Sequence, residues 1–188
     1  MVSREEIKSL AKGQISGKIA MLLVCSLIMG AIVGVSSFIP VAGTLVLVPP
    51  LQLGIIYIYL DISAGGEVDV NRLFAGFKRL GQSICLYLLV NIFIFLWSLL
   101  FVIPGIIKAL SYSQAFYILA EHPEMTASEA LNESKMIMEG HKSELFVLYL
   151  SFIGWALLGA ITCGIGYIWI LPYMQATFTN YYHKIKKQ

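Results

Sequence analysis

Three long apolar stretches, Ile19 to Leu60, Leu80 to Ala120 and Leu145 to Tyr182, alternate with short segments that hold nearly all the charge. The stretches contain 42, 41 and 38 residues, with Lys108 the one charged residue inside them. A straight helix of about 40 residues would run about 60 Å, twice the ~30 Å hydrocarbon core of a bilayer, so none can be a single span. Each carries Gly or Pro near its middle: Phe38-Ile39-Pro40-Val41-Ala42-Gly43, Ile103-Pro104-Gly105 and Thr162-Cys163-Gly164-Ile165-Gly166. Pro lacks a backbone donor and Gly accepts a positive φ, so both suit a reversal. The pattern predicts an all-α membrane protein of six transmembrane helices, over 19–38, 43–62, 83–103, 105–120, 144–162 and 166–183, arranged as three helical hairpins. The chain reads as a single polytopic membrane domain, 1–188, with hairpins at about 19–62, 83–120 and 144–183 and cytoplasmic linkers at about 63–82 and 121–143.

Composition sharpens this picture. With 58% hydrophobic residues, 13% charged residues and a mean hydropathy of +0.79, the chain has too little polar surface to cover a water-soluble globule. That excludes a disordered chain, a disulfide scaffold and a soluble enzyme, and a net charge of +2 gives no reason to expect a nucleic-acid partner. All 11 acidic residues and 12 of the 13 basic ones fall in the N-terminal segment, the linkers or the C-terminal tail. Basic residues in short loops stay inside, so both termini and both linkers are expected in the cytoplasm of a cell-membrane protein. The first apolar run is expected to be a span, because it is too long for a signal peptide and ends in no small-residue cleavage pattern. Cys25, Cys85 and Cys163 lack a Cys-x-x-Cys spacing and read as packed, reduced thiols.

A short amphipathic helix is expected before each hairpin. Arg4 to Lys12 is the first. Val70 to Leu80 puts Leu73, Phe74, Phe77 and Leu80 on one face, suited to the membrane interface. Thr126-Ala127-Ser128-Glu129 reads as a capping box opening a helix to about Glu139. These segments either rest on membrane lipids or dock a cytoplasmic partner.

The second halves of the hairpins resemble one another around a glutamine. Gln52, Gln114 and Gln175 are 62 and 61 residues apart, which indicates a parallel internal repeat. An amide in hydrocarbon needs a partner, so these three either tie helices together or converge on a polar site with Asn91, Ser98, Ser111, Ser113 and Thr177. Pro49, Pro50, Pro104, Gly105 and Pro172 are expected helix breaks. Ser26, Gly30 and Gly34, and Ala156, Ala160 and Gly164, have the spacing of close helix packing, within one chain or between copies. Lys108 is expected to reach the outer headgroups, or to bind a lipid phosphate or another anion. His122 with Glu121 and Glu124, and His141 with Glu139 and Glu144, match no zinc spacing; no metal and no cofactor is expected.

The run Leu96-Trp97-Ser98-Leu99-Leu100-Phe101-Val102-Ile103-Pro104-Gly105-Ile106-Ile107-Lys108-Ala109-Leu110-Ser111-Tyr112 resembles the signature of the bacterial membrane family catalogued as domain of unknown function 975. So do Glu129-Ala130 with Ser134-Lys135, Met138-Glu139-Gly140-His141-Lys142, Ile153-Gly154-Trp155 and Leu171-Pro172-Tyr173. The resemblance implies a multi-pass plasma-membrane protein with distant similarity to the membrane region attached to some glycerophosphodiester phosphodiesterases. It carries over no catalytic residue. The first expectation is therefore a non-catalytic scaffold or accessory subunit, with membrane lipids and either a second copy or another membrane protein as partners. The alternative is a small-solute binder or transporter like a six-helix vitamin-transporter subunit, and a more distant one is an enzyme acting on lipid.

Overall fold

The computed structural model describes residues 4–36, 40–162 and 166–186, and every regular element among them is helical. Helix α1 (Arg4–Ile15) buries Ile7, Ala11 and Ile15, spaced four apart, and leaves Glu5, Glu6 and Lys12 outside. Gly17 follows at φ +79, a conformation that lacks a penalty only without a Cβ. Around it the chain bends by 89° into α2 (Ile19–Ser36). Next, α3 (Pro40–Ser63) packs beside α2.

The segment expected at the membrane interface also packs on protein. Helix α4 (Arg72–Ala75) and a 3-10 turn (Gly76–Arg79) lead without a gap into α5 (Leu80–Leu100). Leu73 is buried while Phe74 faces outward, so the apolar face is divided. Two glycines make the contact: a Cβ on Gly54 would lie 1.9 Å from the Leu73 carbonyl oxygen, and one on Gly76 1.9 Å from that of Pro50.

The chain then reverses at Phe101, an extended residue (φ −159, ψ 148), into α6 (Val102–Tyr112) and α7 (Ala115–Glu121). The reversal comes before the expected Pro104-Gly105. Pro104 sits in the first turn of α6, where a missing N–H leaves no hydrogen bond unmade. Gly105 serves close packing, since a Cβ there would meet the Ser98 hydroxyl at 2.1 Å. Helix α8 (Ala127–Ile137) starts with the expected capping box: the Thr126 hydroxyl accepts from the Glu129 N–H, and the Glu129 carboxylate accepts from the Thr126 N–H at 2.7 Å. Helices α9 (Lys142–Leu150) and α10 (Ile153–Ile161) precede α11 (Tyr167–Lys186).

The other expected breaks also differ. Helix α3 continues through Pro49 and Pro50, and α11 through Pro172. Each proline deletes one hydrogen bond while the adjoining turns keep theirs, so a helix held by its neighbours runs on. The interruptions lie at Ser113–Gln114 and Ser151–Phe152, where no proline occurs.

Three apolar clusters form the core. One joins α3, α5, α6, α7, α8 and α11, another α1 to α4 with α11, and the last α1, α6, α9 and α11; Ile55 of α3 and Tyr173 of α11 each touch two of them. Among the described residues, four helical stretches are long and apolar enough to cross a membrane: Thr44–Ser63, Arg72–Leu100, Val102–Glu121 and Lys142–Ile161. The bent α1–α2 pair makes a fifth. Polar residues gather at one end, where Gln14 meets Ser63 and Asn180, Lys186 meets Glu121, Lys184 pairs with Glu144, and Arg79 donates to the Leu119 carbonyl. At the α5–α6 reversal, Leu99 to Ile103 are all exposed and apolar.

Candidate functional site

Gln52, Gln114 and Gln175 line one cavity of about 140 Å³ between α3, the α6–α7 interruption and α11. Ile56, Tyr117 and Phe178 also line it, each three or four residues beyond one of the glutamines and hence on the same helical face. Ser113, Phe116 and Tyr149 complete the wall. No charged side chain belongs to it.

The interruption of the α6–α7 rod sets the position of Gln114, which is 2% exposed. Its Nε2 donates to the Ser113 hydroxyl at 3.0 Å, and that hydroxyl donates to the Leu110 carbonyl at 2.8 Å. Beside the interruption, the buried Ser134 of α8 donates to the Ser111 carbonyl at 2.8 Å. Gln114 Oε1 has no partner among the described residues, although an amide oxygen carries two acceptor sites. Gln175 Nε2 donates to the Tyr117 hydroxyl at 3.2 Å, and the Tyr117 ring stacks on Tyr182 at 5.2 Å between centroids. A second cavity of about 260 Å³ against α6 and α9 shares Ser113 and Tyr149 with the first, which places these two side chains between them.

Other residues singled out by sequence lie elsewhere. Asn91 is exposed on α5 and donates to the Tyr87 carbonyl; Ser98 is exposed beside Gly105; Ser111 and Thr177 are buried with their hydroxyls on backbone carbonyls. None of these four lines the cavity. The Lys108 ammonium rests over the Trp97 ring, 4.6 Å from its centre. Gly30 and Gly34 are exposed with nothing within 4 Å of an added Cβ, and Ser26 donates to the Leu22 carbonyl. Ala160 is exposed, the Ala156 carbonyl accepts from the Tyr167 hydroxyl, and Gly159 makes the close contact with the Tyr167 ring. Gly164 and Cys163 lie outside the described residues. His122 pairs with Glu124 at 3.0 Å and His141 with Glu144 at 3.6 Å; no three such groups meet as a metal site among the described residues.

Sequence reasoning missed the aromatic walls, Tyr117, Phe116 and Phe178. The signal was present in the turn-by-turn spacing from each glutamine, but Tyr and Phe are too common in membrane helices to stand out without the fold.

A family model described as "Protein of unknown function (DUF975)" matches residues 1–111 and 99–188 of the chain. No curated protein and no solved structure matches it.

Proposed function

The chain belongs to the DUF975 family, and on that premise we propose that it is a non-catalytic, multi-pass plasma-membrane protein that binds a small uncharged solute within its helix bundle. In this reading six rods cross the bilayer as three hairpins: α2, α3, α5, α6–α7, α9–α10 and α11. Both termini and both linkers face the cytoplasm. The gathering of polar contacts at one end and the excess of basic residues in short loops support that orientation.

One observation carries the binding role: the unpartnered Gln114 Oε1 in a cavity shared by three glutamines. A buried acceptor without a donor costs about 1–3 kcal/mol, which a donor on a bound solute recovers. The walls hold amides, hydroxyls and aromatic rings and no charge, which favours a neutral molecule with both donors and acceptors. A volume of about 140 Å³ is close to that of an engineered cavity known to hold benzene, so the solute has about six heavy atoms. That is too small for most vitamins. Titrating glycerol, urea and acetamide into detergent-purified protein tests the reading. A saturable rise in melting temperature that disappears in Q114L is expected. A rise that is linear and equal in both proteins, or no rise, would mean that the cavity holds only water.

The scaffold reading keeps one specific support, the exposed Gly30–Gly34 face of α2, which no other described helix covers. A defined oligomer that dissociates in a G30L/G34L variant would favour it.

A further inference from the structure

A third cavity, apart from the two at Ser113 and Tyr149, has a different chemistry. The bend between α1 and α2 forms one wall of a cleft of about 390 Å³, and α10 and α11 form the other. Lys12 and Ser16 stand on the first wall and Trp155, Trp169, Ile170 and Tyr173 on the second. The position of Lys12 is set by its neighbour one turn back. Lys8 donates to the Ser151 hydroxyl at 2.8 Å and lies 4.6 Å from the Phe152 ring centre, which fixes this face of α1 beside the start of α10.

Lys12 is exposed, and among the described residues it has no ion pair or hydrogen bond. No acidic side chain lines the cleft. The tryptophans are open to the surroundings, Trp169 at 61%. A lone cation above apolar walls edged by Trp and Tyr matches the boundary between headgroups and acyl chains.

We propose that this cleft is a binding site for an anionic phospholipid. Lys12 and Ser16 take the phosphate, and Trp155, Trp169 and Ile170 take the first part of one acyl chain, with the rest of the lipid in the bilayer. The site is separate from the amide cavity and stands or falls independently of it.

The test is native mass spectrometry of the full-length protein titrated with phosphatidylglycerol or phosphatidylcholine of equal chain length. Wild type should retain phosphatidylglycerol preferentially. K12E should weaken that retention about tenfold, in line with the attraction of one basic residue to an anionic membrane surface, while K12R retains it. K78E changes another exposed lysine, outside the cleft, and should leave it unchanged. The W155A/W169A variant should lose retention while keeping its helical circular dichroism. Equal retention of both lipids, or equal loss in K12E and K78E, would overturn the proposal. So would displacement by free glycerol 3-phosphate as effective as by a short-chain phosphatidylglycerol, since the apolar walls would then contribute nothing.

Discussion

Two of the three glutamines are expected to respond differently to the same substitution. Gln114 sets a buried acceptor with no donor against one donation to the Ser113 hydroxyl, so the two effects of Q114L offset and the empty protein should stay within about 1 kcal/mol of wild type. Gln175 donates to the Tyr117 hydroxyl, and Q175L should destabilise by about 1 kcal/mol. Melting in detergent without added solute checks both; a loss in Q114L as large as that in Q175L would show that Gln114 is a structural tie. The glycines divide as sharply. A Cβ at Gly54 or Gly76 would collide with backbone oxygen, which cannot rotate away, so G54A and G76A should each cost about 3 kcal/mol or more. Gly30 and Gly34 have open space, and G30A or G34A should stabilise α2 by about 0.5–1 kcal/mol through helix propensity.

At the scale of elements, α8 shows what local sequence can specify. Thr126 and Glu129 are three residues apart in a pattern whose geometry is fixed by the helix itself, and the expected capping box is present. Backbone and hydroxyl donation from Thr126 holds the Glu129 carboxyl below its ordinary range. A carboxyl depressed in the folded state adds stability above its unfolded value, and that contribution is lost as pH falls through the folded one. The first turn of α8 should therefore stay protected from hydrogen exchange through the ordinary carboxylate range near pH 4 and open only below it; E129Q should flatten the dependence. An opening that begins above pH 5 would contradict the assignment. The interruption at Ser113–Gln114 had no such signature. Proline and glycine suggested breaks at 49, 50, 104, 105 and 172, but tertiary packing carries α3 and α11 through their prolines. Ser134, from a different helix, is what serves the Ser111 carbonyl beside the true interruption, and a contact across 23 residues leaves no local trace. The glutamines were legible because an amide in an apolar run is expensive wherever it points; their meeting in one cavity depended on how the rods pack.

For the molecule as a whole, the distribution of charge is what the proposed topology rests on. Residues from α1, both linkers and the end of α11 touch through Gln14, Ser63, Arg79, Glu121, Asn180 and Lys186, so those segments share one end of the bundle. Burying that end in hydrocarbon would strand several ionised groups at once, whereas the apolar α5–α6 reversal would have no reason to face water over Leu99 to Ile103. The topology proposed above follows from this: the polar end would lie in one aqueous phase, the cytoplasm by the placement of the basic residues, and the reversal near the other interface. Single cysteines introduced into a cysteine-free background at Glu67, Ser128 and Lys186, all exposed at or beside the polar end, should resist a membrane-impermeant maleimide applied to intact cells and react once the cells are opened. A cysteine at Ile103, 71% exposed on the reversal, should react from outside. Labelling of both 67 and 128 from outside, with 103 protected, would invert the molecule in the membrane. Labelling of 67 and 128 on opposite sides would break the arrangement altogether, because the helices between them would then cross an odd number of times and α6–α7 or α5 could not be a span.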